Sequence, residues 1–158
     1  MIDVANALSS LGKPYSFDVY GSVYRDKDFE KLNAWSNLHY HQPVSYEQVR
    51  KLADASDLLI HVESFDPFIA RDRKNAFSTK IMDCLASGRP FLLYAPKEMA
   101  QSWYMRDRDL LYVTESKEQL KTILSSSPIA SKDNSVQVSE KQLKNIVDML
   151  TAFNESKR

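Results

Sequence analysis

Glycine is scarce in this chain of 158 residues: there are three, with six prolines and one cysteine. With so few glycines, no phosphate cradle of the P-loop or G-x-G-x-x-G kind can be drawn, and any phosphate site has to come from helix termini and side chains. A single cysteine excludes an internal disulfide framework. Cys84 falls inside a helical segment whose local pattern places no base beside it, and it reads as a small buried hydrophobe rather than a nucleophile. No apolar run approaches the roughly 18 residues of a membrane helix, and no signal-peptide pattern is found, so the expectation is a cytoplasmic chain without a membrane span. Net charge is missing too. The 21 basic and 21 acidic residues cancel, which leaves no global field to recruit a polyanion and no support for a nucleic-acid partner.

What is present is a 43% hydrophobic composition, enough for one sizeable core and a single domain over residues 1–158. The clearest pattern runs from Asp57 to Pro96. Leu58–Val62 and Phe91–Ala95 are continuous apolar runs of strand length, as in a parallel sheet covered on both faces. Between them Ser78 is the N-cap candidate, its hydroxyl expected to accept an orphan N–H, with Phe77 and Met82 at the two positions of a hydrophobic staple. The helix starts at Thr79 and ends at Ser87, because Gly88 can take the left-handed conformation and Pro90 cannot continue a helix. Ile81, Leu85 and Ala86 are expected to face the sheet, and Lys80 and Asp83 to lie elsewhere.

The resulting βαβ unit presents a helix N-terminus, which suits an anion. The polar loop before it carries Arg71, Arg73 and Lys74 against Asp72, and Lys80 follows in the first helical turn. The helix dipole favours a bound diphosphate by about 0.3–1 kcal/mol, and charge-assisted hydrogen bonds add to that. The competing reading is a solvated loop with an exposed Lys80–Asp83 ion pair.

Alternating elements fill the rest of the chain. Ile2–Leu11 reads as a helix with Val4, Leu8 and Leu11 on one face, and Tyr15–Tyr20 as a strand closed by Gly21. Phe29–Trp35 reads as a short helix, Leu38–His41 as a strand ending at Gln42-Pro43, and Ser45 as the opening of a helix containing Glu47, Val49, Leu52 and Ala53. Beyond Pro96 follow a helix near Lys97–Met105, a strand at Leu110–Val113 and a helix at Ser116–Leu124 capped by Ser116. Ser125–Ser135 reads as a surface connector, and residues 139–153 as an amphipathic helix with Leu143, Ile146, Val147 and Leu150 on one stripe. This alternation predicts an α/β fold, a doubly wound parallel sheet of about five strands. His39 and His41 share a strand face without a third ligand at a matching spacing, so no metal site is expected. Trp35, Trp103 and Tyr104 read as packing aromatics.

From about Ile2 to Leu124 the order of elements resembles the C-terminal, donor-binding domain of a GT-B glycosyltransferase of the group-1 or family-4 type. The residues that carry the resemblance are F-D-V-Y-G from Phe17, N-L-H-Y-H-Q-P-V-S-Y-E-Q-V from Asn37, A-D-A-S-D-L-L-I from Ala53, and above all F-S-T-K-I-M-D-C-L-A-S-G-R-P from Phe77. The resemblance implies a Rossmann-like fold and transfer of a sugar from a nucleoside diphosphate sugar to an acceptor hydroxyl, in bacterial surface-polysaccharide or glycan assembly. It implies a nucleotide sugar as substrate, with neither a cofactor nor a metal. By the same resemblance Ser78 and Thr79 meet the diphosphate, Lys80 neutralises it, and Asp83 stands where the family has a glutamate that binds the ribose hydroxyls. Glu63 and Ser64 fall where the family contacts the donor sugar or its phosphates, and Tyr40 to Pro43, including His41, beside the base. Asp83 is one methylene shorter than glutamate, which implies a weaker or water-mediated ribose contact.

The departures from the family carry their own expectations. The N-terminal acceptor-binding domain is missing from these residues, so the isolated chain is expected to be inactive, its catalytic residues unknown and an acceptor-binding domain or chain its partner. The helix at Ile2 resembles one that follows the first strand of the family's domain, a strand that is central in the order 3-2-1-4-5-6. Without it, Tyr15–Tyr20 and Leu58–Val62 are expected to close on each other in a five-stranded sheet, or to hold another chain between them, a homo-oligomer included. The alternative reading is a non-catalytic nucleotide-binding or regulatory module on the same fold. A flavodoxin-like receiver fits less well, because the first strand ends in Val19-Tyr20-Gly21 with no acidic cluster.

Overall fold

The computed structural model describes residues 1–12, 14–22, 30, 34–106 and 111–126. The described elements are α1 (Ile2–Ser9), β1 (Phe17–Tyr20), β2 (Leu38–His41), α2 (Tyr46–Ala55), β3 (Leu59–Val62), α3 (Pro67–Asp72), α4 (Thr79–Ala86), β4 (Phe91–Tyr94), α5 (Ala100–Arg106), β5 (Leu111–Thr114) and α6 (Lys117–Ser126). Parallel strands alternate with helices, as the sequence pattern predicts, and every ladder among them is parallel. The expected helix at 139–153 and the connector from 127 onward lie outside the described residues, as does most of the Phe29–Trp35 segment.

Local sequence explains where the elements begin and end. Ser45 and Gln48 form a reciprocal capping box that opens α2. Asp66 accepts hydrogen bonds from the N–H groups of Phe68 and Ile69, with Pro67 in the first helical turn, so α3 occupies part of the stretch read above as a polar loop. Gly88 closes α4 at φ +69°, a conformation that costs other residues strain. The Ser116 hydroxyl accepts from Gln119 N–H at 3.3 Å and opens α6.

The core is built around β4, whose four residues are at most 2% exposed. Its alternation sends Phe91 and Leu93 to one face, against Ile81 and Leu85 of α4 and Met105 of α5. Leu92 and Tyr94 point to the other, against Val4, Ala7 and Leu8 of α1 and Leu120 and Leu124 of α6. Ala86 is exposed and does not join Ile81 and Leu85. It stands at the last position of the helix, beyond the buried stripe.

The expectation that the first and third strands close on each other is not met. The strands form two sheets, β1–β2 and β3–β4–β5, and β1 and β3 do not pair. The physical reason is α1, which is fastened to both. The Tyr94 hydroxyl donates to Asp3 Oδ2 at 3.0 Å on the three-stranded side. The Trp35 indole donates to Asn6 Oδ1 at 3.3 Å, and Ala5 packs with Leu38 on the two-stranded side. Direct pairing would need the two strands about 4.8 Å apart, and α1 instead lies across the break with one attachment on each side. Among the described residues no helix is long and apolar enough to cross a membrane.

Candidate functional site

Parallel strands bring their C-terminal ends to one edge, where ligands of open α/β sheets bind. At that edge β3 runs into Glu63 and Ser64, and α4 begins at Thr79. Ser78 stands at the N-cap position, but its hydroxyl makes no capping bond. Its backbone N–H instead donates to Gln101 Oε1 at 3.3 Å. Ile81 N–H is taken up by the Ser78 carbonyl at 3.1 Å, while the N–H groups of Thr79 and Lys80 have no acceptor among the described residues. Both residues are exposed. The first turn of α4 therefore offers two open donors, one hydroxyl free of capping duty and one ammonium group.

Gln101 ties this turn to the end of β3. It is 1% exposed, and while its Oε1 receives Ser78, its Nε2 donates to Glu63 Oε1. His61 Nε2 lies 2.8 Å from the same carboxylate oxygen. These bonds, with the His61 bond foremost, hold the Glu63 carboxyl below its ordinary range against the opposing effect of burial, and the nearby Arg73 charge adds to them. A carboxylate thus held ionised is an acceptor, so Nε2 carries the imidazole proton. Ser64 Oγ accepts from Asp66 N–H at 3.2 Å, shaping the turn into α3.

One turn along α4, Asp83 is exposed and pairs with a residue far away in sequence: the Tyr46 hydroxyl donates to its Oδ1 at 3.1 Å. No ion pair joins Lys80 to Asp83, and both side chains are exposed. Tyr46 opens α2 just after the end of β2, and so carries that end toward α4. The β2 candidates are engaged within their own sheet. The Tyr40 hydroxyl donates to the Gly21 carbonyl. His41 stacks on Tyr20 with ring centroids 4.5 Å apart and planes 14° apart, and its Nε2 is 2.6 Å from Asp18 Oδ1.

The structure thus brings Ser78, Thr79, Lys80 and Glu63 together through Gln101, joins Asp83 to the β2–α2 turn through Tyr46, and leaves Tyr40 and His41 on the neighbouring sheet. Sequence reasoning missed Gln101, His61 and Tyr46. Gln101 and Tyr46 reach across from elements distant in sequence, and His61 sits in an apolar strand run without a local signal. Cys84 has its thiol pushed up to about 11, by burial first and the Asp83 charge second, and is no nucleophile near neutrality. Among the described residues no three His, Cys, Asp or Glu side chains gather as a metal site. A pocket of about 250 Å³ lined by Ser10, Leu11, Lys121 and Ser125 lies between the end of α1 and α6, apart from this arrangement.

No curated protein and no solved structure matches the chain significantly. A family model does: the one described as glycosyl transferase-like covers residues 3–141, which include α4, Glu63 and Asp83 together with all five described strands. On that match, the chain belongs to the glycosyl transferase-like family.

Proposed function

We propose that this chain is the donor-binding part of a glycosyltransferase, taking a nucleoside diphosphate sugar whose glycosyl group passes to an acceptor hydroxyl in polysaccharide or glycan assembly in the cytoplasm. The observation that carries the reading is the open first turn of α4, where the Thr79 and Lys80 N–H groups lack acceptors among the described residues, beside the Lys80 side chain. In this reading the diphosphate sits on those donors and on the Ser78 hydroxyl, and Lys80 balances its charge. As the glycosidic bond breaks, negative charge builds on the leaving diphosphate. Fixed N–H dipoles and a cation aimed there stabilise that charge more than the ground state.

Asp83 accepts the ribose hydroxyls, taking Oδ1 from Tyr46 or sharing it. Glu63 and Ser64, at the end of β3, face the sugar side of the donor, with Glu63 kept ionised and oriented by His61 and Gln101. Tyr40 and His41 border the base from the β1–β2 sheet. The acceptor and the catalytic base come from a separate domain or chain, so residues 1–158 bind the donor without transferring the sugar.

The test is calorimetric titration with UDP, GDP and ADP. Saturable binding of one nucleotide, weakened in Asp83→Ala, supports the reading and identifies the base. No binding of any of the three up to millimolar concentration, about −4 kcal/mol, sinks it.

A further inference from the structure

Gln101 occupies a position that packing alone would give to an apolar side chain. It is 1% exposed and stands in α5 between Met99 and Met105, both members of the core cluster of Ile81 and Leu85. An amide can be buried there because both of its ends are bonded. Its Oε1 accepts the Ser78 N–H at 3.3 Å, and its Nε2 donates to Glu63 Oε1. The amide cannot be turned over: a backbone N–H only donates, so the oxygen has to face Ser78 and the nitrogen Glu63. Both bonds therefore run to groups of the candidate site, and neither serves the core around it.

The start of α5 is itself fastened to the loop that enters α4. Ala100 N–H donates to the Lys74 carbonyl at 2.8 Å, and Ala76 N–H to the Arg73 carbonyl at 2.9 Å. From this anchored backbone Gln101 reaches the end of β3 and the first turn of α4 at once. It takes up the Ser78 N–H, so the open donors of that turn are those of Thr79 and Lys80.

We propose that Gln101 is a positioning residue for the diphosphate: without touching the ligand, it holds the first turn of α4 in register with the Glu63 carboxylate and so sets where the Thr79 and Lys80 donors stand. The proposal rests on the donor-binding reading and adds to it the group that keeps the donors in place. The action needs an amide. Methionine has a similar volume and makes neither bond. Glutamate keeps an acceptor for Ser78 but, when ionised, sets a second carboxylate against Glu63; when protonated, its O–H donates as the amide nitrogen does. The other charged or titratable groups bearing on the Glu63 carboxylate are His61 on β3 and Arg73 ahead of α4.

The experiment is calorimetric titration of the 158-residue chain and its Gln101 variants with UDP, GDP and ADP, with Tm measured for each protein. The nucleotides carry no sugar, so direct contacts of Glu63 with a sugar do not enter. At about pH 7.5, Gln101→Met is expected to stay folded and to bind the nucleotide about tenfold more weakly than the parent. Gln101→Glu is expected to lose about as much at that pH and to return to within about threefold of the parent near pH 5.5, each pair compared at the same pH, because two adjoining carboxylates share a proton. The double variant Glu63→Gln with Gln101→Glu exchanges donor and acceptor, and is expected to bind within about threefold of the parent at about pH 7.5.

A lowered Tm in the single variants with nucleotide affinity of the folded chain unchanged marks a merely structural glutamine and overturns the proposal. So does a loss in Gln101→Glu that neither acidification nor the exchange with Glu63 restores. A parent that binds none of the three nucleotides sinks the donor-binding reading and this proposal with it, whereas parental binding that both single variants retain sinks this proposal alone.

Discussion

The imidazole Nε2 of His61 lies 2.8 Å from Oε1 of Glu63, an ion-pair geometry between two residues of one strand edge whose side chains are 15% and 12% exposed. The Glu63 carboxyl is held below its usual value of 4.5, chiefly by this bond and against burial. A depressed carboxylate stabilises the fold above its unfolded pKa, and that contribution is lost as pH falls through the lower folded value. Glu63→Gln is therefore expected to lower stability near neutrality by about 1–3 kcal/mol. Below about pH 4.5 the stability curve of the variant should be flatter than that of the parent. Urea denaturation at a series of pH values reads both effects.

Lys80 and Asp83 separate on nucleotide affinity. Both are exposed, so alanine at either leaves stability within about 0.5 kcal/mol. Lys80→Ala is expected to weaken nucleoside diphosphate binding about tenfold and to flatten its dependence on salt, because a charged contact is lost. Asp83→Ala is expected to weaken it about fivefold with the salt dependence intact, since ribose hydroxyls carry no charge. Equal salt slopes for the two variants would contradict the assigned roles.

Tyr94 tests the attachment of α1. Its phenol is pushed up to about 12, by burial first and then by the Asp3 hydrogen bond. Tyr94→Phe keeps the ring and removes only that bond, with an expected cost of about 1 kcal/mol and a lowered Tm. Asp3 keeps its Lys117 partner at 2.9 Å, so a loss far above that size would mean that α1 depends on this bond for docking.

Gly88 and Gly21 make a paired control. Gly88→Ala forces a side chain into the left-handed region at φ +69° and is expected to cost about 1 kcal/mol. A Cβ at Gly21 meets nothing within 4 Å, so Gly21→Ala is expected to stay within about 0.5 kcal/mol. Thermal unfolding of the two variants side by side separates a backbone requirement from a general intolerance of substitution.

Much of the β3–α4–β4 unit was legible because its signals are local. An apolar run, a Gly88-x-Pro90 stop and a second apolar run need no distant partner, and the parallel α/β class followed from the repetition of such signals. The helix α3 went unread although Asp66-Pro67 is a start signal, because the cationic residues after it read as a solvated loop. The Ser78 hydroxyl is expected to cap α4 and makes no capping bond, while the buried Gln101 of α5 that takes the Ser78 N–H leaves no mark in the sequence near Ser78. The separation of the sheets was illegible for a related reason: it depends on how α1 divides its contacts between Tyr94 and Trp35, and no periodicity encodes that division.

Asp3 and Asn6 lie one turn apart on α1, yet one is bonded to Tyr94 and the other to Trp35, on opposite sides of the break between the sheets. The helix thus bridges the two sheets through two bonds one turn apart. The indole that grips it is one of two in the chain, the other being Trp103, which is 74% exposed. The molecule consequently carries its own optical gauge: Trp35 emission is expected to follow the seating of α1, above a solvent-bathed Trp103 background that stays constant.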